Sequence, residues 1–224
     1  MFFRQVWALL AKDLKAEWRT REIFTSVSVF ALSVVVVFNF AIGSDPEIIR
    51  QVAPGVLWVA LIFAMVLGLQ RGVQAESDED CLQGVLLALG DRSAWFVAKT
   101  VANLLYLLIV AVCTLPLFSI WFRIGIVSCL VSLGVILMLG MLGFSAIGTL
   151  FSVLALNTRM REIMLPLLFL PVSVPLTIGS VYATAALIDG KRLAEITDFI
   201  TLIVVFDIIF IVLALLVFDY LVEE

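Results

Sequence analysis

Residues 71–93 read RGVQAESDEDCLQGVLLALGDRS, the longest polar interruption in a chain that is otherwise close to continuous hydrocarbon. Four acids fall within the five residues from Glu76 to Asp80, and then an apolar rhythm resumes at once. Leu82, Val85, Leu86 and Leu89 recur at i, i+3, i+4 and i+7, which puts all of them on one face of a helix. Ser77 stands where an N-cap belongs, with Asp80 three residues on. Asp78, Glu79 and Asp80 would then fill a first turn, where the helix dipole favours negative charge. Gly90 follows the last apolar residue, the place of a C-terminal cap. From Asp78 to Leu89 such a helix rises about 18 Å, too little to cross a bilayer. The stretch therefore predicts a short amphipathic helix over 77–90, lying outside the membrane between two spans. Sharp initiation of a short helix accounts fully for the acids. It does not account for a stable helix where a tight turn would connect the spans, and a helix there offers an apolar stripe and an acidic end to a partner.

The rest of the chain makes the surrounding medium clear. Of 224 residues, 63% are hydrophobic and only 14% charged, and the mean hydropathy is +1.20. Soluble domains hold about half apolar and about a quarter charged residues, so the sequence specifies an all-α integral membrane protein. Its length gives a single polytopic membrane domain, 1–224. Net charge, -4, carries little information, because topology follows the placement of Lys and Arg. Three cysteines, without paired spacing, make neither a disulfide framework nor a zinc site.

A helix needs about 20 residues to cross the hydrocarbon core. Uncharged runs supply six spans: 23–42, 52–70, 100–122, a long run over 124–158, 163–188 and 199–218. The fourth run exceeds one crossing, so part of it is expected to tilt, break or lie in the outer interface. The fifth carries Pro166, Pro171 and Pro175, expected to kink or break it. The first run is longer than the apolar part of a signal peptide, and residues of both charge signs precede it, so it is expected to be retained.

With the N-terminus inside, ten basic residues face the cytoplasm and four, Arg50, Arg123, Lys191 and Arg192, face out. The positive-inside rule favours that orientation and returns the C-terminus to the cytoplasm. Residues 1–20 form a second amphipathic segment. In MFFRQVWALLAKDLKAEW, Phe3, Val6, Trp7, Leu10, Leu14 and Trp18 share a face, while Lys12, Lys15 and Arg19 lie off it. This predicts a helix in the inner interface with its bases near anionic headgroups. The plainer reading is a cytoplasmic start to the first span.

Chemistry-bearing residues are few. A P-loop needs G-x-x-x-x-G-K-[ST]; the one Gly-Lys pair, Gly190-Lys191, is followed by Arg192 and has Ala185 at the required glycine position. Asp207 lies near the middle of the last span, where a carboxylate is expensive and by default functional. It is expected to be neutral, or hydrogen-bonded to groups such as Asn39, Asn103, Tyr106 or Tyr182. A transport role and a role as polar glue between helices weigh equally. Span four spaces Ser128/Ser132, Ser145/Thr149 and Gly148/Ser152 by four, with Gly134, Gly140 and Gly143 between. Such faces allow close helix approach, within the chain by preference, or along a dimer seam.

An interfacial N-terminal helix, six spans and a short cytoplasmic helix between the second and third resemble the permease subunit of an ABC-2-type transporter. The segment Ala53–Ala88, APGVLWVALIFAMVLGLQRGVQAESDEDCLQGVLLA, is similar to the second span and following loop of the haem exporter B (CcmB) family of cytochrome c maturation. The proline-rich LPLLFLPVSVPLTIG, Leu165–Gly179, is similar to that family's fifth span. The chain departs from the family pattern at Asp80, Cys81 and Gln83.

The resemblance implies a permease that binds no cofactor itself, with ATP on a separate ABC ATPase subunit. It also implies haem handled by the complex, with a haem-handling membrane subunit as a further partner. A permease homodimer and the lipid bilayer complete the expected partners; nucleic acid is not among them. The expected location is the cytoplasmic (inner) membrane. Leu82, Val85, Leu86, Leu89, Asp78 and Glu79 are the residues expected to couple to the ATPase. Histidine is absent, and among the usual axial ligands of haem iron Cys113 and Cys129 lie toward the outer face, where packing is the commoner role for lone thiols. An ABC-2 permease for another amphiphile, such as a drug, lipid or polysaccharide, is the second reading, and a non-transport membrane scaffold or intramembrane enzyme the third.

Overall fold

The computed structural model describes residues 2–43, 45–78, 93–156 and 161–221. Among them the chain forms seven α-helices and two short 3-10 turns, and no strand. The helices are α1 (Phe2–Thr20), α2 (Glu22–Ile42), α3 (Pro46–Asp78), α4 (Ser93–Phe122), α5 (Leu130–Leu156), α6 (Arg161–Ile188) and α7 (Thr197–Leu221). Helices α2 to α7 are each long and apolar enough to cross a membrane, six in all, as the uncharged runs predict.

Helix α1 has three faces. Leu10 is buried, and Leu9 packs against the cluster of Trp95, Phe96 and Leu150. Arg4, Lys12, Lys15 and Arg19 form an exposed basic face. Between these two faces run Phe3, Trp7, Leu14 and Trp18, the first, second and last of them 85%, 71% and 77% exposed. Large apolar side chains left uncovered by protein beside a row of bases are what an interfacial helix presents to lipid. The sequence puts Val6 and Leu10 on the same stripe; the structure buries Leu10 and half-buries Val6.

A backbone break separates α1 from α2. Arg21 adopts a left-handed conformation (φ 52°), and its N–H donates to the Glu17 carbonyl at 2.7 Å. The Glu17 carboxylate then accepts the Phe24 N–H at 2.8 Å, satisfying one of the orphan donors that begin every helix. The Arg21 guanidinium lies 5.5 Å from the Trp18 ring, a cation–π contact.

Helix α3 starts earlier and ends later than its uncharged run, spanning 33 residues, about 50 Å against a hydrocarbon core of about 30 Å. Asp45 Oδ1 accepts the Glu47 N–H at 3.0 Å at its start. Its far end stays helical through Asp78, so Ser77 lies in continuing helix and is not the cap of a new one. The long fourth run does break: a 3-10 turn at Ile126–Cys129 precedes α5. The three prolines do not break α6, which runs unbroken from Arg161 to Ile188. Gly190, at φ 90°, closes α6 with Lys191 N–H on the Ala186 carbonyl (3.0 Å) and Gly190 N–H on the Leu187 carbonyl (3.1 Å). That pair is a Schellman cap, so the Gly-Lys dipeptide is a helix stop.

Two polar contacts fix the ends of the bundle. Lys99, in the second turn of α4, pairs with Asp13 of α1 at 2.8 Å. At the other end Asn39 of α2 donates to the Trp121 carbonyl of α4 at 2.8 Å. Helix α3 is the hub, packed against α2, α4, α5 and α6. Two-thirds of its span (67%) is buried, against 17% for α7 at the periphery.

Candidate functional site

The hub position of α3 follows from its sequence. Val56, Leu57, Trp58, Ala60 and Leu61 are all buried, so the segment that carries the family resemblance is also the most enclosed. The Trp58 indole N–H donates to Thr184 Oγ1 of α6 at 2.9 Å, and its ring lies 5.9 Å from Phe144 of α5. Gly140 makes room for that ring. A Cβ there would stand 2.5 Å from Trp58 Cη2 and 2.8 Å from Ser180 Oγ.

The next glycine along the same side of α5 receives Asp207. A Cβ at Gly143 would collide with Asp207 Oδ1 and stand 2.7 Å from Leu176 Cδ2. Asp207 is 3% exposed, and neither carboxyl oxygen has a hydrogen-bond partner. The bonded form expected with Asn39, Asn103, Tyr106 or Tyr182 is not seen. Asn39 instead serves the Trp121 carbonyl, Asn103 donates to Thr149 Oγ1 at 3.0 Å, and Tyr182 stacks on Phe199. What holds Asp207 is shape: a carboxyl seated in a glycine notch, against exposed helix backbone.

Further along α5, a Cβ at Gly148 would collide with Leu69 and approach Met65 Cε to 2.8 Å. The small residues of the fourth span therefore admit side chains of α3 and α7 of the same chain, the intramolecular use expected first. A dimer seam has no room at these three glycines. Gly134 is different: nothing lies within 4 Å of its Cβ position, and it is exposed in the N-terminal half of α5. Cys113 and Cys129 are free thiols, one exposed and one half-buried.

The residues expected to couple to an ATPase fall between α3 and α4. Asp78 is the last residue of α3 and Ser93 the first of α4. Glu79, Leu82, Val85, Leu86 and Leu89 lie outside the described residues. Their flanks are at the α1 end of the bundle, where Lys99 meets Asp13. The Trp58–Thr184 bond and the notch for Asp207 are the features sequence reasoning missed. The glycine spacing signalled close packing, but nothing in one sequence says which side chain fills each notch.

An all-α bundle with six helices long and apolar enough to cross a membrane defines a polytopic membrane protein. The family model described as CcmB protein matches residues 4–222, and the chain belongs to that family. It is 25% identical over 182 residues to Heme exporter protein B of Pseudomonas aeruginosa, covering 81% of each chain. With Heme exporter protein B of Rhodobacter capsulatus the identity is 30% over 168 residues, 75% of this chain and 77% of that one. The Escherichia coli K12 protein of that name is 26% identical over 97 residues, 43% of this chain and 44% of its own.

Proposed function

We propose that the chain is the permease subunit of an ABC transporter complex that acts in haem export, or in release of a haem-loaded chaperone, during c-type cytochrome biogenesis. Family membership across residues 4–222 carries this reading, together with relatives named for haem export that match three-quarters or more of the chain. ATP is hydrolysed on a separate subunit, and haem is cargo handled with a further membrane subunit. The protein sits in the inner membrane with both termini and residues 77–90 in the cytoplasm.

The fold supports a mechanical role for α3. A force delivered at 77–90 enters α3 at its end, and α3 touches four other spans. At its far half the helix is fixed by Trp58, bonded to Thr184 and wedged against Gly140. Near the loaded end, Gly68 and Gly72 make the helix slender. A push from the ATPase therefore tilts α3 about the Trp58 anchor and moves the helices packed on its other half.

The test is purification of the tagged chain from its own membranes in mild detergent. An ABC ATPase subunit accompanies it if the reading is right; a chain recovered without one, under conditions that keep other ABC complexes whole, refutes it.

A further inference from the structure

The face of α1 that meets the bundle carries two acids where a helix packed on apolar spans has no need of them. Leu9, Asp13 and Glu17 are spaced by four, so they share one helix face, and all three are half-buried. The bases Arg4, Lys12, Lys15 and Arg19 are all exposed. The charges of α1 are therefore sorted, acids toward the bundle and bases away from it. Each acid has a specific seat. Asp13 meets Lys99 of α4 at 2.8 Å, one turn beyond Trp95 and Phe96 of the cluster on which Leu9 packs. These are the first two turns of α4. Glu17 Oε1 accepts the Phe24 N–H at 2.8 Å, and Tyr106 of α4 lies within reach of the charges of Glu17 and of Arg71 on α3. The Tyr106 ring rests on Gly68 of α3, where a Cβ would stand 3.0 Å from Tyr106 Cε1. Gly68 and Arg71 are one turn apart on the part of α3 that leads to Asp78.

We propose that α1 is a brace that fixes the end of α3 relative to the start of α4, with Asp13 and Glu17 as its positioning residues. Lipid contact through Trp7 and Trp18 requires neither acid. Apolar contacts are non-directional, so Leu9 and Leu10 hold α1 against the bundle without setting its register. A 2.8 Å ion pair and a capping carboxylate do set it, because charge-assisted bonds are strong only in good geometry. One anchor lands on the first turns of α4. The other lies beside Tyr106, the ring that seats the last turns of α3. Asp78 and Ser93, the two ends so held, are where 79–92 leaves one helix and enters the next. The consequence for coupling rests on the reading that this segment meets an ATPase subunit. A segment whose two ends are fixed is presented in one place, and preorganisation of that kind raises affinity.

The experiment uses the full chain without its native cysteines, spin-labelled through Asp78→Cys and Ser93→Cys, and reads the distance distribution by double electron–electron resonance. The parent should give one narrow distribution. Asp13→Asn and Glu17→Gln, which keep the size of each side chain and remove its charge, should broaden it. Lys15→Gln, on the exposed face of α1, should leave it narrow. Exchanging the partners, Asp13→Lys with Lys99→Asp, should narrow it again relative to Asp13→Asn. In the two acid variants, affinity per folded chain for the ATPase subunit that accompanies the parent should fall roughly tenfold. A merely stabilising role for the acids would lower the amount of folded chain and leave both readouts unchanged. A distribution as narrow in both acid variants as in the parent overturns the brace. Broadening with unchanged affinity overturns its part in coupling. A parent that brings no ATPase subunit refutes the reading on which the coupling rests, whereas the distance measurement judges the brace by itself.

Discussion

Replacing Gly143 with Ala is the sharpest probe of how α7 is held. The added methyl would occupy the space of Asp207 Oδ1 and press on Leu176 Cδ2. Neither neighbour has an easy escape, because Asp207 is 3% exposed and Leu176 fully buried. Overpacking of this kind costs about 1–3 kcal/mol, offset by about 0.5–1 kcal/mol of helix preference for Ala over Gly. A net loss of about 0–2.5 kcal/mol follows for Gly143→Ala. Asp207→Ala deletes the carboxyl that the methyl would strike, so the double variant should recover part of that loss. Side chains in contact couple by about 0.5–3 kcal/mol, and about 1 kcal/mol of recovery is expected. The assay is reversible unfolding in mixed detergent micelles, with the four proteins forming a double-mutant cycle. Strict additivity in the cycle would refute the notch.

Trp58→Phe should cost about 1–3 kcal/mol in the same assay, combining the lost bond to Thr184 with unfilled volume. Leu86→Ala should abolish co-purification of the ATPase subunit while the chain still inserts, since a buried Leu hot spot contributes about 2–4 kcal/mol; Glu79→Gln should retain it, as exposed charges contribute about 0–1 kcal/mol. Asp207→Asn should leave the bundle assembled, and a lowered yield of cytochrome c in that variant would assign the carboxyl a part in transport; full activity would leave it as packing. Single cysteines at Asp189 and at Lys12, in a background without native cysteines, should react with an impermeant reagent from outside only at position 189. Labelling of position 12 in intact cells would reverse the orientation.

The six spans were legible because crossing a bilayer is a demand on local composition, met within each uncharged run. The α1 stripe was legible for a similar reason, since its period is written in Phe3, Trp7, Leu14 and Trp18. Helix length was not. Glu47, Arg50 and Arg71 interrupt the apolar run at α3 without interrupting its backbone hydrogen bonds, so the helix extends well beyond the hydrocarbon. The prolines of α6 do not break it, because a span packed on its neighbours keeps helical backbone despite them. At the candidate site, Asp207 stood out by cost alone. Its seat at Gly143, like that of Trp58 at Gly140, is a contact between distant segments and has no local signature.

Service of this chain in haem export for c-type cytochromes is tested most directly by covalent haem on those cytochromes in the source organism. Membranes and periplasm from a strain deleted for this gene are compared by haem-peroxidase staining with the same strain carrying the gene in trans. Holocytochromes c should be lost on deletion and restored by the intact chain, while apocytochrome synthesis and b-type haem proteins stay unchanged. Normal holocytochrome c in the deletion strain, where no second copy of the family is encoded, would contradict it.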